Sequence, residues 1–452
     1  MDELALIRDA DNRAASYLAG VADRRVFPDA DALAALWAFQ EPLPRLGRPA
    51  AETLDLLDRI GTPATVTSNG PNYFGFVIGG ALPAAAAAER LMLAWDQCAS
   101  SFDNSPVAAT LEKLAGQWLL EALDLPRESA VGFGTSATAC GLACLAAARR
   151  SLLARKGWDV DRQGLAGSPA VQVVVSETVH VTVRKALRIL GFGLDNLIIA
   201  STDDYGRVDP ARLPRLDDMT ILCLQAGEVN MGEFDPFIPL IQAARAVGAW
   251  VHVDGAFGLW ARLSSDAVRL TAGLDGADSW TTDGHKWLNT PYDGAIAICR
   301  DARALADAMN SDAAYAAADP FAQKNLTLEF SRRARGISVW AALRTLGVDG
   351  IAGMVDRHRA LARRLADGLR ATGYEVVNRV VLNQVLIRLE GDEDGARLTR
   401  IRKAAEASGE LWFGPTIWRG RPAARLSISS WRTGEAEIDH AIAVLASLRE
   451  TV

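Results

Sequence analysis

Lys286 lies in the run Asp283-Gly284-His285-Lys286-Trp287, an apolar, glycine-containing stretch that suits a solvated charge poorly. Lysine is rarely buried without a role or a partner. An amine held out of water is a nucleophile that condenses with carbonyl groups; the plainer reading is a surface lysine on a loop. His252-Val253-Asp254-Gly255-Ala256 ends an apolar run, and strand alternation puts His252 and Asp254 on one face. A carboxylate at the C-terminal end of a parallel strand lies where open α/β sheets take ligands. An Asp that caps the following turn is the bland alternative.

Three further segments carry weaker signals. Gly132-Phe133-Gly134-Thr135-Ser136-Ala137-Thr138 leads into an Ala/Leu-rich stretch. A small-residue turn opening a helix presents free N–H groups and a positive dipole end to a phosphate, although Ser/Thr helix caps are common without any ligand. His180, in SETVHVTVRKAL, falls between a strand and a helix, where an imidazole can stack on a flat ring or simply sit in a polar loop. Arg332-Arg333 in EFSRRARGISVW suits bidentate carboxylate recognition, while clustered arginines are more often solvated.

The elements that must position these residues follow from composition and pattern. The chain has 452 residues, half of them apolar by count, enough for a large α/β domain with smaller pieces appended. A net charge of −7 argues against a nucleic-acid partner and against a basic membrane-binding face. No apolar run reaches membrane-spanning length without a charge or a Gly/Pro interruption. The acidic start, MDELALIRDADNRAASYL, lacks the basic opening of a signal peptide, so a soluble cytoplasmic protein is expected. Cys98, Cys140, Cys144, Cys223 and Cys299 are odd in number and scattered, which reads as buried thiols, with neither a metal site nor a disulfide framework.

Residues 1–60 read as two or three helices, and residues 61–83 as a loop with an aromatic centre at Tyr73-Phe74-Gly75-Phe76. From 84 to 300, helix-like stretches alternate with short β-branched runs at 170–177, 196–202, 220–226 and 249–255. Runs apolar on both faces favour a parallel sheet covered by helices. Residues 335–372 read as a long helical region, GISVWAALRTLG and then DRHRALARRLADGLRATG, and the last 75 or so as β-α-β-β-α, with strands near 384–390 and 424–430. The expected division is an arm and pocket loop (1–83), a large α/β domain (84–345) and a small C-terminal α/β domain (346–452).

With these residues in hand, the chain resembles the group II pyridoxal 5'-phosphate (PLP) dependent amino-acid decarboxylases. The resemblance runs from about Tyr73 into the C-terminal domain. It rests on the order of motifs: an aromatic loop, SPVAATLEK, the phosphate turn, His180, H-x-D-x-A, ADS and the His-Lys pair. It implies fold type I, the aspartate-aminotransferase fold, with a large, mainly parallel seven-stranded sheet. It implies a carboxy-lyase in which Lys286 forms the Schiff base with PLP, Asp254 pairs with the pyridine nitrogen, and His180 stacks on the ring with Ala256 on the other face. Ser136, Ala137 and Thr138 would hold the phosphate, with Asp283 and His285 beside it; His252 would orient Asp254. Arg332 would hold the substrate carboxylate, and Tyr73, Phe74 and Gly79 would line the pocket of a homodimer whose active sites lie at the subunit interface.

The chain departs from the family in four places. Asp283 stands where Asn is frequent, Ala139 and Gly141 stand where many members have Glu and Asn, and the aromatic loop reads GPNYFGF instead of a His-Pro form. The family's catalytic loop tyrosine would fall near Gln323, and Tyr315 is the tyrosine this loop offers. Its absence in relatives turns decarboxylation towards aldehyde formation. The substrate is an L-amino acid of undetermined side chain: Tyr73, Phe74, Phe257 and Trp260 suit an aromatic one, Arg333 or Arg335 an acidic one. The competing readings are an aldehyde synthase, a carbon–carbon lyase or an aminotransferase-like enzyme on the same scaffold and, more remotely, a PLP-binding protein without catalysis.

Overall fold

A computed structural model describes residues 2–311 and 319–452. In chain order the elements begin with α1 (Glu3–Ala19), α2 (Ala30–Ala35), α3 (Ala50–Leu56), α4 (Pro83–Trp95) and α5 (Pro106–Ala122). There follow β1 (Ala130–Gly134), α6 (Ala137–Arg155), α7 (Val160–Gln163), β2 (Gln172–Ser176), α8 (Val181–Ile189), β3 (Ile198–Ala200), β4 (Thr220–Gln225), α9 (Phe237–Val247), β5 (Trp250–Asp254), β6 (Ser279–Asp283) and β7 (Ala295–Cys299). The chain closes with α10 (Ala302–Met309), α11 (Gly336–Ala371), β8 (Glu375–Val376), β9 (Gln384–Arg388), α12 (Ala396–Ser408), β10 (Gly414–Trp418), β11 (Arg421–Ser427) and α13 (Glu435–Thr451).

The chain forms two compact units. The larger holds Ala81–Ala360 and Asn378–Gln384; the smaller holds Met1–Gly80, Leu361–Val377 and Val385–Val452. Contacts therefore group the N-terminal helices with the C-terminal elements, and residues 346–360 with the larger unit, where the sequence suggested an arm and a cut at 345.

Among the described residues the larger unit carries a seven-stranded sheet in the order β1-β7-β6-β5-β4-β2-β3. Neighbours from β6 through β5, β4 and β2 to β3 pair in parallel. β7 runs antiparallel to both β1 and β6, which leaves β1 parallel to β6. The parallel strands are nearly all buried, as expected of a sheet covered on both faces. α6 supplies much of one cover: Leu142, Leu145, Leu152 and Leu153 pack with Val173, Val175 and Ile221 in one core. By length and composition alone this helix would cross a membrane, but most of it is buried inside the protein, the situation of a core helix apolar all round.

The helical region 335–372 is two helices joined at Gly347, whose φ of 61° and ψ of −178° are non-helical. Glycine alone takes this conformation without cost, so it sets the break. In the smaller unit β8 to β11 form a four-stranded sheet in the order β10-β11-β9-β8.

Candidate active site

Since β1, β6, β5, β4 and β2 share one direction, the loops after Gly134, Asp283, Asp254, Gln225 and Ser176 all leave the same edge of the sheet. That is the edge where open α/β sheets take ligands, and four sequence-predicted segments, those of the α6 start, His180, Asp254 and Lys286, converge there.

Asp254 ends β5 half-buried. Its Oδ1 accepts from the Ala256 N–H at 3.1 Å, the turn cap that was the bland reading. Its Oδ2 takes no hydrogen bond from the described residues, so the cap leaves one carboxylate oxygen for a ligand. Ala256 O accepts from the Asp283 N–H at 2.8 Å, which ties the ends of β5 and β6 together. His252 does not orient Asp254 by a hydrogen bond: its Nδ1 lies 2.9 Å from Ser279 Oγ on β6, and Nε2 is buried with no partner among the described residues. Burial pushes this imidazole down to about 4, against a smaller upward pull from Asp254.

Ser136 caps α6, its Oγ accepting from the Ala139 N–H at 3.3 Å. The Ala137 N–H donates to Asp283 Oδ1 at 2.7 Å; the Thr138 N–H has no partner among the described residues. His180 caps α8: its Nδ1 accepts from the Thr182 N–H at 3.4 Å and lies 2.6 Å from Thr182 Oγ1. Gln225, unnoticed in the sequence, ends β4 and donates to Ser176 Oγ at 3.1 Å and Thr178 Oγ1 at 3.2 Å, bracing the turn before His180.

Lys286 follows β6, its side chain 23% exposed, with Nζ 3.1 Å from Asp283 Oδ2. The surface reading of this lysine is thereby excluded. His285 is buried; its Nδ1 accepts from the Gly294 N–H at 3.2 Å and its Nε2 lies 3.8 Å from Asp283 Oδ1. Burial lowers the His285 pKa, against the pull of Asp283. Tyr292 stacks on that imidazole with centroids 4.3 Å apart, a contact with no signature in the sequence.

Arg332 is not placed to hold a substrate carboxylate. Its fork is filled by Glu112, at 2.8 Å from Nη1 and 2.7 Å from Nη2, with both side chains buried. Glu112 is the acid of SPVAATLEK, in α5, whose start is set by the Ser105 cap and Pro106. Arg333 pairs with Glu89 and Arg335 with Asp293, so these two are also engaged. Trp260 and Phe257 are core residues, 0% and 3% exposed. Tyr315 lies outside the described residues, and Gln323 is buried in a 3-10 turn.

Tyr73, Phe74 and Gly79 belong to the smaller unit and are buried there. The Tyr73 ring stacks on Trp412 at 5.2 Å and 9°, and Phe76 on the same indole at 5.6 Å and 22°. Gly75 lies so close to the Trp412 ring that a Cβ would collide with it. Phe76 is 59% exposed and takes a φ of 50°.

Comparison with known proteins agrees with this geometry. The structure matches that of Oryza sativa TDC with PLP and tryptamine at a TM-score of 0.91 and 23% identity, over 100% of this chain and 98% of the other. It matches mouse CSAD at 0.91 and 19%, over 99% of both. These likenesses establish fold type I. In sequence it is 28% identical to tryptophan decarboxylase 1 of Oryza sativa subsp. japonica, over 81% of this chain and 76% of that one. It is 26% identical to L-2,4-diaminobutyrate decarboxylase of Rhizobium meliloti (strain 1021), over 87% and 81%. The pyridoxal-dependent decarboxylase conserved domain matches residues 51–390, and the chain belongs to that family. It is a PLP-dependent carboxy-lyase acting on an amino acid.

The donor set fits the cofactor. Ser136, Ala137, Thr138, His180, Asp254, Ala256 and Lys286 are all half-buried, accessible points on an edge whose surroundings are mostly buried. They offer an amine, a carboxylate with a spare oxygen and a helix start, the partners that an aldehyde, a pyridinium N–H and a phosphate require.

Proposed function

We propose that the substrate is an aromatic L-amino acid and the product its amine, made by a cytoplasmic homodimer. The observation that carries the site is the gathering of Lys286, Asp254, His180 and the start of α6 on one sheet edge. PLP, when bound, supplies the electron sink that makes loss of carbon dioxide possible. The protein's part is positional and electrostatic: Lys286 Nζ holds the cofactor, Asp254 Oδ2 holds the proton of its ring nitrogen, and the first turn of α6 receives its phosphate. His180, held at the start of α8 by its contacts with Thr182, offers a flat ring face.

One observation favours an aromatic side chain. Arg332, Arg333 and Arg335, which would suit an acidic one, are each committed to a carboxylate of the protein. The aromatic substrates named for the plant relatives agree with this. A dimer is supported by exposed apolar side chains on α4 and the loop after it, Leu91, Leu93, Trp95 and Phe102. The five unpaired cysteines suit a reducing compartment.

Product identification by mass spectrometry tests the substrate. PLP-loaded protein in air should convert tryptophan, tyrosine or phenylalanine to the amine. Turnover confined to glutamate or diaminobutyrate would overturn the aromatic assignment, and an aldehyde formed with oxygen uptake would overturn the amine. Size-exclusion chromatography with light scattering should give twice the chain mass; the mass of one chain would contradict the dimer.

A further inference from the structure

We infer that Asp283 is an internal competitor for the cofactor's phosphate, so that this chain binds PLP more weakly than its own scaffold would allow. The inference rests on placing the phosphate at the start of α6. A phosphate there needs the backbone donors of the first turn. The Ala137 N–H already donates to Asp283 Oδ1 at 2.7 Å, and the other oxygen of the same carboxylate holds Lys286 Nζ at 3.1 Å. One side chain, 2% exposed, thus occupies the anion cradle and neutralises the cofactor lysine at once.

Bringing in PLP undoes both contacts. The phosphate would compete for the N–H, and Lys286 joined to the aldehyde would no longer offer Asp283 a free ammonium group. The carboxylate is then left beside a phosphate of like sign, with little water to screen it. His285 Nε2, at 3.8 Å from Oδ1, is the nearest group that can take up part of that charge, and burial holds this imidazole towards its neutral form. Asp283 therefore stabilises the cofactor-free protein and opposes the phosphate. The amide of Asn has the same shape, would still accept from Ala137, carries no charge and can donate to a phosphate.

The test compares PLP with pyridoxal, which lacks the phosphate, by equilibrium titration of the cofactor-free full chain followed by protein fluorescence. Asp283→Asn should tighten PLP by about tenfold and leave pyridoxal within about twofold, while lowering the melting temperature of the cofactor-free protein. Thr138→Ala should weaken PLP and not pyridoxal. If Thr138→Ala weakens PLP but Asp283→Asn leaves it unchanged or weaker, Asp283 is no competitor. If neither substitution alters PLP relative to pyridoxal, the phosphate lies elsewhere and the site assignment falls with the inference. Should the Asp283 variant not fold, the unaltered protein still decides: millimolar inorganic phosphate should not raise the melting temperature of its cofactor-free form, and a rise of several degrees would overturn the competition.

Discussion

The sheet edge and the aromatic loop are built in opposite ways. At the edge, each functional side chain sits at the end of a strand or the start of a helix, so the backbone ladder fixes its place before any side chain packs. Asp254 and Asp283 end neighbouring parallel strands, and their turns are tied by main-chain bonds. The loop at 71–80 has no ladder of comparable length. Its shape depends on one indole, Trp412, against which Tyr73, Gly75 and Phe76 all lie, and on main-chain bonds from the Phe74 N–H to Trp412 O and from the Ser427 N–H to Phe74 O. The lesson is that the chemistry is carried by topology and the loop by a single side chain, so substitutions in the two should fail differently.

Asp254→Ala should show the largest effect on chemistry. We expect a fall in kcat of about a hundredfold to a thousandfold with an unchanged melting temperature for the cofactor-free protein, since strand ladder and turn remain. Near-normal turnover would show that the strand end does not serve the cofactor ring. Glu112→Ala should strike stability instead, by about 3–5 kcal/mol, because it strands a buried guanidinium; denaturant unfolding measures it, and a loss below about 1 kcal/mol would mean that Arg332 finds another partner. Trp412→Ala should sharpen the contrast: it removes two stacked pairs worth about 0.5–1.5 kcal/mol each. Denaturant unfolding should show a loss of that size with kcat nearly kept, and a collapse of kcat would blur the distinction between loop and edge.

The smallest effect is in pH. His252 has its pKa depressed to about 4 by burial. The unfolded chain therefore binds a proton that the folded one refuses between about 6.5 and 4, and stability falls on acidification through that window. Asp235, raised to about 6 by burial, works the other way: its folded form holds the proton more tightly, so stability rises as pH falls from about 6 towards 4. The two slopes oppose each other. Melting temperatures of His252→Gln should increase on acidification relative to the unaltered protein; parallel curves would remove His252 from the balance.

Much of the sheet edge was legible in sequence because strand runs and the residues that end them are local. Lys286, Asp254, His180 and the α6 start are all found where strand-then-turn reasoning puts them. What could not be read depends on partners far apart in the chain. Arg332 looked like a free fork because Glu112 is 220 residues away. Asp283 looked like a neighbour of the phosphate because its bond to Ala137 spans 146 residues. The loop tyrosine, Tyr315, lies outside the described residues, so its part in the reaction stands as the sequence left it.

The central claim is that Lys286 holds the cofactor. The direct measurement is to load the protein with PLP, reduce with borohydride, digest and map the labelled peptide by mass spectrometry. The account predicts the phosphopyridoxyl group on Lys286 and no visible cofactor band in Lys286→Ala. Labelling of another lysine, such as the buried Lys324, or an unchanged spectrum in that variant, would contradict it.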